Sequence, residues 1–175
     1  MGMGILMCGL NGAGKSTLGK ALADRLGYRF IDNEDLYFPK TDPDYMYAAE
    51  RTREEVEELL LSEIKAHGDF VFTSVKGNYE KALPFFYYAV LVSVLSEIRL
   101  RRVKERSFKK FGERALKGGD LYEREQGFFE FISARAENTV EEWLKTFNGR
   151  VIRVDGTKPV DENISFIIEE IKKLK

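Results

Sequence analysis

Short apolar runs alternate along this chain with stretches of helical spacing. Gly4 to Cys8 predicts a buried strand and Gly9 to Gly14 a glycine-rich turn. A helix follows from Lys15 to Leu26, with Leu18, Leu22 and Leu26 four residues apart on one face. Tyr28 to Ile31 reads as a second strand, ending in the acidic turn Asp32-Asn33-Glu34-Asp35. Pro39 and Pro43 mark a loop, and helical spacing resumes from Ala48 to Ala66 through Val56, Leu60 and Ile64. Phe70 to Val75 and Ala89 to Val94 are continuous apolar runs, the pattern of strands covered on both faces. A charged helix is expected from Ser96, a further helix over roughly Gln126 to Phe147, and a last strand at Val151 to Val154. The closing helix places Val160, Ile164, Ile167, Ile168, Ile171 and Leu174 on one stripe. Five strands separated by helices predict an α/β fold, a three-layer α/β/α sandwich around a parallel sheet.

Length and composition narrow the chemistry. The 175 residues suit one domain, 1–175, and no repeat or low-complexity linker divides them. With one cysteine (Cys8) and one histidine (His67), a disulfide framework and a Cys/His zinc site are excluded within one chain, and a His-based triad or a two-His metal centre is disfavoured. The formal net charge of -1 gives no whole-molecule attraction to nucleic acid or to anionic membranes. Locally the charge is uneven: Arg99 to Arg114 holds eight basic and two acidic residues. The N-terminal apolar run is too short for a signal segment, and no stretch approaches the ~20 residues that span a bilayer. Met1-Gly2 only faintly suggests myristoylation, since Leu6 stands where that motif takes Ser or Thr. A cytoplasmic protein without nucleic-acid or membrane partners is expected, as monomer or homodimer.

Residues Gly9-Leu10-Asn11-Gly12-Ala13-Gly14-Lys15-Ser16-Thr17 match G-x-x-x-x-G-K-[ST] at every fixed position, where a predicted strand gives way to a predicted helix. Glycines let the backbone wrap a phosphate with its N–H groups turned inward, and the helix N-terminus adds partial positive charge. Lys15 would reach the β- and γ-phosphates and Ser16 would ligate Mg²⁺. A dinucleotide-binding turn is the rival reading, with Asp32 near the ribose-acid position. The glycine spacing here is G-x-x-G-x-G, however, and that reading leaves Lys-Ser-Thr without a role.

The P-loop at residue 9, acids after the second strand and an Arg-rich stretch beyond the fourth resemble the small P-loop kinases, among them nucleoside monophosphate, shikimate and gluconate kinases. The resemblance covers essentially the whole chain in element order, although outside the P-loop its motifs are loose. It implies a five-stranded parallel sheet with the P-loop strand central and the third strand beside it. It also implies an acceptor-binding region, about 33–66, and a mobile lid, about 99–125. Tyr28 to Asp35 is similar to the F-x-D-x-D turn of shikimate-kinase-like enzymes, which assigns Asp32 to the metal side and Glu34 or Asp35 to the acceptor. Phe70 to Val75 ends without a Walker-B acid; Lys76-Gly77 is the counterpart of a glycine turn, with Lys76 on an anionic acceptor. Asp155 ends the last strand and reads as a turn acid, and Gly156-Thr157-Lys158 looks like the loop that packs on adenine.

The same resemblance makes Arg102, Arg106 and Arg114 the candidate lid arginines, of which at least one closes over the triphosphate. Tyr37, Phe38, Tyr45 and Tyr47 beside Arg51 and Arg53 suit a ring-bearing or anionic acceptor. The implied activity is ATP- and Mg²⁺-dependent transfer of the γ-phosphoryl group to a small-molecule acceptor. A nucleoside or nucleotide is favoured, a shikimate- or gluconate-type metabolite is the alternative, and a nucleotide switch without transfer is the rival of another class.

Overall fold

The structure is a computed structural model and describes residues 2–173; Leu174 of the expected apolar stripe and Met1 lie outside them. Five strands form one parallel sheet: β1 (Gly4–Cys8), β2 (Arg29–Asp32), β3 (Phe70–Thr73), β4 (Phe86–Ser93) and β5 (Arg150–Asp155), in the order β2-β3-β1-β4-β5. The P-loop strand β1 is central and β3 lies beside it, as the resemblance implies.

Alternation along β1 explains why both faces are covered. Leu6 and Cys8 enter one core with Leu60 and Ile64 of α3 (Arg53–His67) and Val140 and Leu144 of α6 (Thr139–Leu144). Ile5 and Met7 enter the other with Leu18 and Leu22 of α1 (Lys15–Leu26) and Ile164, Ile167 and Ile171 of α7 (Val160–Lys173). A third, smaller cluster joins Val103 of α4 (Ser96–Phe111) to Phe129 and Ile132 of α5 (Tyr122–Ala134). Among the described residues no helix is long and apolar enough to cross a membrane.

Three elements depart from the sequence pattern. The acidic turn after β2 is a one-turn helix, α2 (Asn33–Tyr37), because the Asp32 carboxylate accepts the Glu34 N–H and caps it. Helix α3 starts at Arg53 rather than Ala48. Thr52 and Glu55 form a reciprocal capping box there, which satisfies two orphan amides and fixes the start. The helix expected over Gln126 to Phe147 is two, α5 and α6, separated by residues 135–138. The break turns the chain after α5, and the Arg135 side chain just past it meets the P-loop.

Candidate active site

The loop after β1 takes its shape from glycine. Gly12 (φ 82) and Gly14 (φ 95) have left-handed backbone, and a Cβ on Gly12 would stand 2.4 Å from the Arg99 carbonyl oxygen. Gly14 is the N-cap of α1, with no side-chain cap, so the helix N-terminus stays open toward a ligand. Lys15 folds back to donate to the Leu10 carbonyl (3.2 Å). Burial pushes its ammonium pKa down to about 8, with Asp32 acting in the opposite direction and Arg106 and Arg135 adding to the fall.

A cleft of about 380 Å³ opens at this end of the sheet. Its P-loop side is lined by Asn11, Gly12, Lys15 and Ser16, and its β2 end by Asp32 and Glu34. Thr73 lies between them, opposite Asp32 on one side in the parallel register and Met7 of β1 on the other. Its Oγ1 is buried without a hydrogen-bond partner. Asp32, whose Oδ1 is committed to the Glu34 amide, keeps its other oxygen for a ligand.

The far half of the cleft is aromatic. Phe38, Tyr45 and Tyr47 come from the segment between α2 and α3, and Phe111 and Phe128 from α4 and α5. Tyr45 and Tyr47 meet Phe111 across the two rims at centroid distances of 5.5 and 6.2 Å. Glu34 accepts from the Tyr47 hydroxyl (3.1 Å) and lies 3.6 Å from both Lys40 and Lys110. Glu125, only 3% exposed, accepts from the Tyr45 hydroxyl (3.2 Å) and from Ser107 (2.5 Å). Burial, then the Glu125 charge, pushes the Tyr45 phenol up to about 12; burial and Glu34 raise Tyr47 in the same way.

The sequence-derived residues divide accordingly. Asn11, Gly12, Lys15, Ser16, Asp32, Glu34 and Arg106 line one cleft, whereas Ala13 is buried behind the loop and Thr17 lies in the exposed first turn of α1. Gly9 makes the turn out of β1, its amide bonded to the Val75 carbonyl. Arg102 ties two loops together, donating to Gly12 (3.5 Å) and Gly156 (3.2 Å) carbonyls. That contact sets Gly156 against the P-loop, where a Cβ would stand 2.5 Å from the Ala13 oxygen. Thr157 bonds back to Asp155, confirming the latter as a turn acid, and Lys158 pairs with Glu162. Asp155 ends β5, which β4 separates from the P-loop strand.

The remaining candidates are not brought to the cleft. Asp35 turns outward to Lys40, and Arg114 pairs with Asp120 while donating to the Asp44 carbonyl. Arg51 donates to the Leu36 carbonyl and Arg53 to that of Asn78, so both brace the acceptor segment from outside. Lys76 is absent from the lining, since the chain turns away from the cleft after Val75. No motif singles out Arg135, whose Nη1 donates to Asn11 Oδ1 (3.0 Å), or Thr73 and Glu125. For Glu125 a signal existed: it shares the buried stripe of α5 with Phe129 and Ile132, where an apolar residue belongs.

Comparison with known proteins agrees with this geometry. A profile of the AAA domain family matches residues 5–117. The uncharacterized protein YqaC of Bacillus subtilis (strain 168) is 25% identical over 174 residues, covering 94% of this chain and 95% of YqaC. Shikimate kinase 2 of Yersinia enterocolitica is 62% identical, but over 37 residues only, 21% of either chain. Among solved structures, a sugar kinase from Janibacter sp. HTCC2649 superposes with a TM-score of 0.56 at 14% identity, covering 98% of this chain and 95% of its own. Deoxyadenosine kinase from M. mycoides, solved with dCMP and a flexible dCDP, gives 0.56 at 19% identity, with 98% and 100% covered. These two likenesses concern the fold. Together with the P-loop at its expected place on a central strand, the profile match shows that the chain belongs to the AAA domain family and has the architecture of the P-loop small-molecule kinases.

Proposed function

We propose that the protein is an ATP- and Mg²⁺-dependent kinase that phosphorylates a hydroxyl of a ring-bearing small molecule such as a nucleoside or nucleotide. The observation that carries this reading is the meeting, in one cleft, of a P-loop with Lys15 and Ser16, the Asp32 and Glu34 carboxylates, and an aromatic far half. The kinases named among the similar proteins support it.

The residues present fit a hard divalent cation. Among the described residues no group of three or more Asp, Glu, His or Cys is placed to hold a metal ion by itself. One carboxylate (Asp32), the Ser16 hydroxyl and the orphaned Thr73 hydroxyl suit Mg²⁺, which keeps waters and takes the rest of its shell from phosphates. Bound with the nucleotide, the cation neutralises charge on the β- and γ-phosphates. Thr73 fills the strand end where a Walker-B acid is missing, and would hold a metal-bound water.

The chain's own groups then share the work. The P-loop amides and Lys15 hold the triphosphate, and Arg106 faces the transferred group as negative charge spreads over its oxygens. Glu34 Oε, held in place by Tyr47, takes the proton of the acceptor hydroxyl. The new oxygen–phosphorus bond forms as the bond to the β–γ bridging oxygen breaks and ADP leaves. Aromatic walls from both rims keep water from competing as acceptor.

Glu34→Gln tests the assignment. With a panel of nucleosides, nucleotides and sugar acids, turnover should fall about 10²- to 10⁴-fold while affinity for an ATP analogue changes about threefold at most. Equal losses in both would move Glu34 to the metal side, and a Lys15→Ala variant with full activity would overturn the P-loop assignment. A nucleotide switch is the remaining reading if ATP binds and no acceptor in the panel gives product.

A further inference from the structure

The two halves of the cleft differ in charge. On the P-loop side Lys15 and Arg106 face inward, with Arg135 held behind Asn11. On the far side Lys110 is already engaged by Glu34 (3.6 Å) and the Tyr47 hydroxyl, and Arg106 stands between the halves, near enough to act on both Lys15 and Tyr47. Lys40 also lies 3.6 Å from Glu34.

Two carboxylates of that half have only hydroxyl partners. Glu50 accepts from Tyr37 (3.1 Å), and Glu125 from Tyr45 (3.2 Å) and Ser107 (2.5 Å). Among the described residues neither has a cation within salt-bridge distance. A carboxylate offers about four acceptor positions, so the two hydroxyls leave Glu125 with about half its capacity for a ligand donor. Burial makes that spare capacity consequential, because a charge at 3% exposure is weakly screened by water.

Arg51 and Arg53, expected for a ring-bearing or anionic acceptor, and Lys76, expected for an anionic one, do not line the cleft. Two of the ring faces that would attract a cationic acceptor already carry a cation. Lys110 sits 4.6 Å from the Tyr47 ring centroid and Arg124 sits 5.0 Å from that of Tyr45.

We propose that the acceptor is an uncharged, ring-bearing hydroxyl compound, the class that includes nucleosides, whose N–H or O–H donors are read by Glu125, and that phosphorylated or carboxylated acceptors are rejected. This inference rests on the kinase reading and decides among the acceptors that it leaves open. An uncharged ring with a donor on its edge completes the Glu125 shell and packs against the aromatic far half of the cleft. A phosphate or carboxylate at the same place would face Glu50 and Glu125, and would compete with the transferred phosphoryl group for Arg106, the one cation of the described lining other than Lys15 that has no carboxylate partner.

Calorimetry on the full chain, with Mg²⁺ and a non-hydrolysable ATP analogue present, decides the matter. The acceptors are matched pairs: nucleosides and their monophosphates, ring polyols and their acids. The uncharged members should bind at least about tenfold more tightly. Glu125→Gln should weaken them at least about fivefold and shrink the gap to their anionic partners to under about threefold, with the ATP analogue bound as before. Ser107→Ala, which leaves the carboxylate in place, should keep the preference for uncharged members. Uncharged members that bind no better than their anionic partners overturn the inference, as does a Glu125→Gln variant with the wild-type preference. Failure to bind the ATP analogue at all would instead overturn the kinase reading.

Discussion

Lys15 illustrates how a binding residue carries a cost in the empty protein. Its pKa is about 8 against 10.5 for a free lysine, chiefly through burial. Between those values the unfolded chain binds a proton that the folded one does not, so Lys15 costs the fold most below about pH 8, and the cost fades as pH rises toward 10.5. A bound triphosphate reverses the shift, because its charge favours the ammonium. ATP-analogue affinity should therefore be level up to about pH 8 and fall above it, with a limiting slope of about tenfold per pH unit. Calorimetry near pH 9 in two buffers of different ionisation heat should show proton uptake on binding, lost in Lys15→Met. Thr73 makes the complementary case. Its Oγ1 is buried and orphaned, so Thr73→Val should stabilise the empty protein by about 1 kcal/mol in urea unfolding. If the hydroxyl serves the metal's hydration shell, the same variant should need several-fold more Mg²⁺ to bind the ATP analogue. Unchanged Mg²⁺ dependence would leave Thr73 without that role.

At the scale of elements, apolar periodicity locates nearly every strand and helix, because two cores must be filled from both faces of one sheet. It is blind where polar contacts decide. The start of α3 is set by Thr52 and Glu55, which bond reciprocally and do not alter the apolar spacing. The gap between α5 and α6 lies within a stretch of helical spacing, and Arg135 just past α5 reaches Asn11, 124 residues away in sequence. In α4 the buried stripe is Arg99, Val103 and Ser107, and in α5 it is Glu125, Phe129 and Ile132. Each stripe carries a charge where a strictly apolar rule expects none, and each charge serves the site. Arg99 braces the P-loop through the Asn11 carbonyl (3.3 Å), while Glu125 faces the cleft. Arg99, Arg102 and Arg106 fall at i, i+3 and i+7 along one side of α4. That face nevertheless splits into a brace, a tie between loops and one inward-facing cation, since only tertiary neighbours distinguish the three. The nucleotide half was thus legible from a contiguous motif. Of the acceptor half one rim was legible, Glu34 with Tyr37, Phe38, Tyr45 and Tyr47; the other, with Lys110, Phe111, Glu125 and Phe128, was not, because it comes from a distant segment whose aromatics could equally have been core.

For the whole molecule, the cleft is a rigid floor with two rims joined by side chains. The floor is the C-terminal edge of the sheet, with β1 flanked on both sides. One rim is the segment between α2 and α3, the other is α4 with α5. The rims meet through Tyr45 on Glu125, Lys110 on Glu34 and Tyr47, and Arg114 on the Asp44 carbonyl (2.9 Å). Among the described residues no backbone hydrogen bond between the rims accompanies these. A ligand can therefore enter by parting side chains, without breaking any sheet or helix ladder. This predicts that opening is local. In a Lys110→Ala, Arg114→Ala double variant, amides of residues 40–50 should exchange with solvent about tenfold faster, while those of β1 and β3 keep their protection. The urea midpoint should hardly move, since both side chains lie outside the two sheet cores. ATP analogue alone should restore little of the lost protection, because it occupies the P-loop half; analogue and acceptor together should restore most of it, because the acceptor touches both rims. A loss of protection spreading equally into β1 and β3 would show instead that the rims and the sheet open as one unit.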